Sequence, residues 1–254
     1  SATRWMGGVR LMRILLGSRV GAPSCQSHGA RGCYALCRPW SLPAGPVTPE
    51  AFTQAILRNR NNRAILQRWL DLALPDGWLV AGCLFQTVWN LRAGQAPEAG
   101  IKDYDLFYFD AADRSAQAEQ AVQQRVQGLL SDLAIEVEVC NQARVHEWYP
   151  AHFGHAYPAL TSSADGIRRF LVRGTCVGVR PHRSTSTDDD LADRLAVEAP
   201  YGLHDLHAGV LQPNALTPHA ELFRAKSLAY QARWPWLRIA GATGTAATEP
   251  VPHA

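Results

Sequence analysis

The sequence predicts an α/β fold, in which helices pack against a β-sheet, and three observations predict it. Short apolar runs typical of buried strands occupy 78–81, 101–109 and 135–139. Segments with a helical spacing of apolar residues separate these runs, as expected when strands alternate with helices. The chain has 254 residues, of which 47% are hydrophobic and 19% charged, an ordinary composition for a globular domain.

The predicted elements begin at Thr48-Pro49-Glu50, which supplies an N-cap, a proline at the first helical position and an acid in the first turn. The segment 58–62 is predicted to interrupt this first helix. The remaining elements are, in chain order, a helix at 65–72, a strand at 78–81, a helix at 84–91, a strand at 101–109, a helix at 115–133, a strand at 135–139, a helix at 163–171, a strand at 175–179, a polar loop at 181–200 and a last helix at 217–234.

The two ends of the chain differ from its middle. Residues 1–49 contain six Arg and no acidic residue, whereas the whole chain has a net charge of only +3. The remainder is therefore mildly acidic, which argues against general nucleic-acid binding. Residues 1–47 lack periodicity, so we predict a disordered extension, the alternative being an organellar transit peptide. Residues 239–254, rich in Ala, Thr, Gly and Pro, are predicted to form a flexible tail.

Residues 48–238 remain as one predicted domain. No stretch approaches the roughly 18 consecutive apolar residues that a membrane span needs, so we expect no membrane partner. Cys83, Cys140 and Cys176 are scattered through the domain without a C-x-x-C pair, which fits neither a disulfide framework nor a zinc finger. We therefore predict reduced, buried thiols and a cytoplasmic location.

Two aspartates mark the strand at 101–109. Asp103 and Asp105 are two residues apart, so their carboxylates point to one side of the strand, with Cα atoms about 7 Å apart. Like charges this close resist joint ionisation unless a cation compensates them. Mg²⁺ or Mn²⁺ would do so, because such ions prefer oxygen ligands. The alternative is an edge strand with a solvated face, but the apolar flanks of the pair disfavour it.

The next strand supplies a third carboxylate. Glu136 and Glu138 share one face of 135–139. We predict that Glu138 joins Asp103 and Asp105 in a catalytic metal site of the kind used in phosphoryl transfer. There, metal ions activate the attacking hydroxyl and hold the triphosphate. Glu136 is interpreted as a solvated residue of an amphipathic strand.

Other polar residues offer competing or supporting chemistry. Zinc is an alternative metal, with candidate ligands His146, His152, His155, His204 and His207. A Cys–His nucleophile pair would use Cys83 or Cys140, although neither has a supporting local signature. Candidate phosphate contacts are Lys102, Lys226, Asn141 and Arg144.

Five segments carry a longer likeness: WLVAGCLFQTVWN at 78–90, IKDYDLFYFD at 101–110, NQARVHEWY at 141–149, APYGLHDL at 199–206 and RWP at 233–235. Together they resemble a bacterial nucleotidyltransferase-like family, and the likeness covers about residues 50–240. This resemblance implies the nucleotidyltransferase fold, a small mixed sheet flanked by helices.

The resemblance also implies a site. In that superfamily a Gly-Ser pair opens a helix and cradles the phosphates of a nucleoside triphosphate. An Asp-x-Asp/Glu pair follows, and a later strand supplies a third acid. The matching positions here are Gly82, Asp103, Asp105 and Glu138, with Cys83 in the place of the serine.

Because a thiol is a poor hydrogen-bond donor, two functions stay open. One is metal-dependent transfer of a nucleotidyl group from a nucleoside triphosphate to an unknown acceptor, with Glu138 orienting or deprotonating the acceptor hydroxyl. The other is a catalytically inactive nucleotide-binding or protein-interaction module with the same fold.

Overall fold

The computed structural model describes residues 47–182 and 191–241. Its strands are β1 (Trp78–Val80), β2 (Asp103–Tyr108), β3 (Glu136–Asn141), β4 (Gly178–Pro181), β5 (Leu195–Glu198), β6 (Val210–Leu211) and β7 (Arg238–Ile239). Its α-helices are α1 (Pro49–Ile56), α2 (Arg60–Gln67), α3 (Trp69–Leu72), α4 (Gly82–Arg92), α5 (Ala116–Leu129), α6 (Val145–Phe153), α7 (Ser163–Ile167), α8 (His204–Ala208) and α9 (Ala220–Arg233).

Five strands form one mixed sheet in the order β3-β2-β1-β4-β5. β2 and β3 run parallel, and the other neighbours in this sheet run antiparallel. A parallel pair needs a long crossover connection, and α5 lies in the segment that provides it. β6 and β7 form a separate parallel pair. The predicted α/β class, with a mixed sheet flanked by helices, is confirmed.

Side-chain caps determine where the first helices begin. Thr48 Oγ1 accepts a hydrogen bond from the Ala51 amide at 3.2 Å, as the capping pattern predicted. Asn59 Oδ1 accepts from the amides of Asn61 and Asn62 at 3.0 and 3.2 Å. The interruption predicted at 58–62 is therefore wrong in its extent, because this second cap starts α2 at residue 60.

The helix α4 lies in the middle of the core. Each residue from Gly82 to Leu91 is buried, so the helix has no solvated face. Its aromatic side chains pack against those of α9: the Trp89 ring centroid lies 5.2 Å from that of Tyr230 and 5.1 Å from that of Trp234. This packing fixes α9 against the helix that follows β1.

The C-terminal part departs most from the prediction. The polar segment 181–200 was predicted as a loop, yet β5 lies in it; residues 183–190 are outside the described ranges. The helix α6 was not predicted. The last helix begins at Ala220 instead of Thr217, because the Thr217 hydroxyl donates to the Arg169 carbonyl at 2.7 Å and does not cap α9.

The predicted extension and tail lie almost entirely outside the described residues, which begin at 47 and end at 241. Within those residues, no helix combines the length and apolar character that crossing a membrane requires.

Candidate active site

The register of the parallel pair brings three carboxylates to one face of the sheet. Asp105 of β2 lies opposite Glu138 of β3, and Asp103 lies opposite Glu136. Side chains of directly paired residues share a face, as do residues two apart on one strand. Asp103, Asp105 and Glu138 are 5%, 2% and 2% exposed. Glu136 is exposed, in keeping with its interpretation as a solvated residue.

Burial and repulsion both act on Asp105. Burial raises the pKa of its carboxyl well above the ordinary value, and the charges of Asp103 and Glu138 add to that shift, while Lys226 opposes it. Asp105 Oδ1 is buried and has no hydrogen-bond partner within residues 47–182 and 191–241. A buried polar atom without a partner costs about 1–3 kcal/mol. A cation beside Asp105 would relieve both the repulsion and the desolvation.

The turn between β1 and α4 faces the same aspartates. A Cβ atom at Gly82 would stand 4.0 Å from Asp103 Oδ1, an ordinary contact distance, and 2.9 Å from Nε2 at the flexible end of Gln86, so the backbone here lies close to Asp103. Ala81, just before it, has a φ of +58° and a ψ of −123°, a conformation that favours glycine. Among the described residues no side chain caps α4, and the Leu84 and Phe85 amides donate to the Ala81 carbonyl at 3.0 and 3.3 Å, so the N–H groups offered to another acceptor are those of Gly82 and Cys83.

The side chain of Cys83 faces the core. It is 0% exposed, and its Sγ atom donates to the Val80 carbonyl at 3.4 Å. Burial raises the pKa of the thiol well above its ordinary value, and the charges of Asp105 and Asp103 add to the shift. The predicted phosphate contact of this residue is thereby limited to its backbone amide.

Two side chains of α9 are buried near the aspartates. Lys226 is 7% and Tyr230 is 5% exposed. Burial lowers the pKa of Lys226 to about 8, although the charges of Asp105 and Asp103 oppose that shift. The sequence suggests Lys226 as a phosphate contact and gives no signal for Tyr230. Their four-residue spacing indicates a shared helix face, but the sequence does not show where that face packs.

Arg233, at the end of α9, holds the loop that leads into β2. Its guanidinium donates to Gln86 Oε1 at 2.7 Å, to Asn90 Oδ1 at 3.2 Å and to the Gly100 carbonyl at 3.1 Å, and it also bonds the Ala99 carbonyl. We call these five residues the Arg233 clamp. The clamp connects α9 to α4 and to the loop that precedes Asp103. The arginine of the RWP segment at 233–235 therefore has a structural role in holding that loop.

The structure places three predicted phosphate contacts, Asn141, Arg144 and Lys102, in different surroundings. Asn141 pairs with Tyr108 at the far end of β2, five residues from Asp103, or about 16 Å along a strand. The Asn141 side chain instead bonds the backbone of 110–113. Arg144 forms a buried ion pair with Glu119. Lys102 is exposed just before β2. The polar groups of Asn141 and Arg144 thus hold local structure, and their role as phosphate contacts stays a prediction.

The Cys–His hypothesis has little support in the described structure. Cys83, Cys140 and Cys176 are buried, as predicted, and within the described residues none of the three forms a disulfide. Burial raises the pKa of each thiol, so none is a ready nucleophile.

The histidines predicted as zinc ligands take other positions. The His155 ring meets the His219 ring edge to face with centroids 4.4 Å apart, and Tyr149 Oη lies 2.6 Å from His219 Nε2. His207 is buried on α8, and its ring meets Phe52 edge to face at 6.5 Å.

Comparison with known proteins decides the family. The family model described as nucleotidyltransferase matches residues 67–239, well over half of the chain. The chain belongs to the nucleotidyltransferase family. A solved structure described as revealing a CCA-adding enzyme head domain is similar to it, with 27% identity and a TM-score of 0.57. The match covers 75% of this chain and 94% of the solved one. No curated protein matches.

The acids of this nucleotidyltransferase have the donor chemistry that Mg²⁺ or Mn²⁺ binds. Among the described residues, no three His, Cys, Asp or Glu side chains are arranged to hold a metal ion. The chemistry of the set nevertheless fits a divalent ion, since it consists of carboxylate oxygens and includes the buried Asp105 Oδ1 without a partner. The residues that could hold such an ion are Asp103, Asp105 and Glu138.

Proposed function

We propose that this nucleotidyltransferase transfers a nucleotidyl group from a nucleoside triphosphate to a hydroxyl acceptor, with Asp103, Asp105 and Glu138 as ligands of Mg²⁺ or Mn²⁺. The observation that carries the proposal is the burial of Asp105 beside Asp103 and opposite Glu138. Like charges buried together are costly unless a cation neutralises them, and a purely structural role does not account for that cost.

The proposed reaction exchanges one phosphate ester for another. The acceptor oxygen forms a bond to the α-phosphorus, the bond from that phosphorus to the bridging oxygen of the β-phosphate breaks, and pyrophosphate leaves. Glu138 accepts the proton of the acceptor hydroxyl. A bound divalent ion neutralises charge on the phosphates and favours ionisation of the hydroxyl.

The first turn of α4 provides the proposed phosphate cradle. The backbone N–H groups of Gly82 and Cys83 lack a side-chain cap among the described residues, and Gly82 lies close to Asp103. Uncapped N–H groups at a helix start, together with the positive end of the helix dipole, favour anionic phosphate. The cradle needs no hydroxyl at position 83, so the cysteine there is compatible with nucleotide binding.

One observation favours a second candidate, a nucleotide-binding module without catalysis. Cys83 bonds Val80 within the core and offers no side-chain donor to phosphate. The superfamily has a serine at this position. If that serine's hydroxyl is essential for catalysis, this chain binds the nucleotide but does not transfer the nucleotidyl group.

Pyrophosphate release tests the first proposal. The purified chain would be incubated with MgCl₂ and each of the four nucleoside triphosphates, alone and with a mixture of hydroxyl acceptors. Mg²⁺-dependent release is expected from the wild type and at least a hundredfold less from Asp105→Asn, because a metal ligand is lost. Asp71→Asn, an exposed carboxylate on α3, is the matched control and should behave as wild type. Binding without release would favour the second candidate.

A further inference from the structure

Two histidines from distant parts of the sequence meet at the start of α9. His155 follows the end of α6, and His219 is the residue that directly precedes α9. Their rings lie edge to face, with centroids 4.4 Å apart and an angle of 70° between the ring planes. His155 is exposed and His219 is half-buried, so solvent reaches both side chains. The two imidazoles form an accessible pair that the proposed reaction does not use.

The spacing of the two rings is close to that of two ligands on one metal ion. A zinc ion lies about 2.1 Å from a ligating imidazole nitrogen and holds its ligands at roughly tetrahedral angles. Each ring centroid is then about 3 Å from the ion, and two such centroids are about 5 Å apart. The observed separation of 4.4 Å lies near that value. The backbone therefore already brings the two rings to a distance that one ion can bridge.

The surroundings of His219 favour the form of imidazole that binds metal. Burial lowers the pKa of His219, and the charge of His155 adds to that shift. The rings of Phe153 and Tyr149 pack beside it, with centroids at 5.9 and 6.0 Å. Only a neutral imidazole has a nitrogen lone pair to give to a metal ion. The apolar neighbours thus keep His219 neutral at pH 7.

Tyr149 contacts the second nitrogen of the same ring. Its Oη atom lies 2.6 Å from His219 Nε2. When the hydroxyl accepts a hydrogen bond from Nε2–H, the lone pair of Nδ1 is left for a metal ion. In the other tautomer the hydroxyl donates to Nε2, and Nδ1 carries the proton. Histidines that bind metal commonly form such a second hydrogen bond, which sets the tautomer and orients the ring.

We propose that His155 and His219 bind a zinc ion at the start of α9, with Tyr149 orienting the His219 ring. Within residues 47–182 and 191–241 no third His, Cys, Asp or Glu side chain completes such a site, so water molecules fill the remaining positions of the ion. Imidazole nitrogen suits zinc, whereas carboxylate oxygen suits Mg²⁺, so this site is chemically distinct from the acidic one. The assignment does not rest on the proposed function. Among the zinc ligands that the sequence suggested, it retains His155 and adds His219.

Calorimetric titration with ZnCl₂, in the presence of excess Mg²⁺, tests the assignment. The wild type is expected to have one zinc site that His155→Ala and His219→Ala lose or bind at least tenfold more weakly. His204→Ala, which removes an exposed histidine of α8, is the matched control and should keep the site. Zinc that binds to carboxylates or thiols elsewhere in the chain is common to all variants and cancels in the comparison.

Thermal melting provides an independent measurement. Zinc should raise the melting temperature of the wild type and of His204→Ala but not of His155→Ala, because an ion that binds only the folded state stabilises it. Without zinc, His155→Ala should melt as the wild type does, since the side chain is exposed; this excludes misfolding as the cause of lost binding.

Tyr149→Phe tests the orienting hydroxyl. It should bind zinc about tenfold more weakly, whereas Tyr157→Phe, whose ring stacks on Tyr149, should not. Unchanged binding in Tyr149→Phe would overturn the part assigned to that hydroxyl. A wild type without a zinc site, or a His155→Ala variant with the site count and affinity of the wild type, would overturn the whole assignment. Neither result affects the proposed function, which Mg²⁺-dependent pyrophosphate release tests separately.

Discussion

Asp105 and Glu138 are directly paired across the parallel strands β2 and β3, so two carboxylates from distant parts of the sequence share one buried face. The parallel register explains how they meet, because α5 carries the chain from the end of one strand back to the start of the next. Asp103 lies two residues earlier on the same face.

Replacement of both aspartates by asparagine should separate metal binding from structural support. Without metal, the double variant Asp103→Asn/Asp105→Asn is expected to melt at or above the wild-type temperature at pH 7. The reason is that the raised pKa of Asp105 makes its ionised form unfavourable in the fold. The variant should also lose any Mg²⁺-dependent stabilisation by nucleoside triphosphate. If the acids were structural acceptors, each change would instead destabilise by about 1.5–3 kcal/mol.

The buried His207 should make stability depend on pH. Burial lowers its pKa to about 4 from 6.5, and the charge of Arg92 adds to the shift. Between these values the unfolded chain binds a proton that the folded chain excludes, so stability is present above pH 6.5 and is lost as the pH falls toward 4. The effect should reach about 2–3 kcal/mol. His207→Leu should flatten this part of the urea-derived stability profile.

The comparison variant for His207 is His204→Leu, an exposed histidine on the same helix, which should keep the wild-type slope. A profile for His207→Leu as steep as that of the wild type would assign the acid sensitivity to other groups.

Ala81→Gly should stabilise the turn at the start of α4. A left-handed φ costs an L-residue about 1–2 kcal/mol of conformational free energy, and glycine does not have this cost. Glycine loses more chain entropy on folding, so a net gain of about 0.5–1 kcal/mol is expected. Thermal melting measures it, and Ala51→Gly within α1 should show the opposite sign. A loss of stability in Ala81→Gly would mean that the methyl group packs favourably enough to outweigh the backbone strain.

Arg233→Lys should loosen the Arg233 clamp. Lysine keeps the charge but cannot bond Gln86, Asn90 and the carbonyls of residues 99 and 100 together, because it lacks the several N–H donors of the planar guanidinium group. We expect a loss of about 2–3 kcal/mol in unfolding free energy. Amide exchange should also increase in the 97–102 segment. Arg224→Lys, exposed on the same helix, should change neither quantity. Equal exchange in both variants would show that the clamp does not hold this loop.

Much of the fold could be predicted because local signals were strong. The alternation in β2 and β3 gave the strand phase of Asp103, Asp105 and Glu138, and the five-segment likeness gave the nucleotidyltransferase family. The placement of α9 could not be predicted, because its packing on α4 depends on contacts between residues far apart in sequence. Tyr230 was missed for that reason.

At the end of β3, the polar character of a residue does not by itself show whether its side chain binds a ligand or holds local structure. Asn141 and Arg144 have the chemistry of phosphate contacts, but their hydrogen bonds go to the 110–113 backbone and to Glu119. A side chain that caps a turn looks the same in sequence as one that binds a ligand. The register of β2 and β3 is what distinguishes the two, since it places Asn141 at the opposite end of the sheet from Asp103.

The central position of β1 has a kinetic consequence. β1 pairs with β2, about 30 residues later, and with β4, about a hundred residues later, at Leu79 and Val179. Closing the longer loop costs more chain entropy and is the slower event. During refolding we therefore expect the acidic strands to assemble before β4 and α9 dock. The three carboxylates would then face water in the intermediate and become buried only in the last step, when Lys226 arrives. Mutations in α9 should accelerate unfolding more than they slow the early collapse.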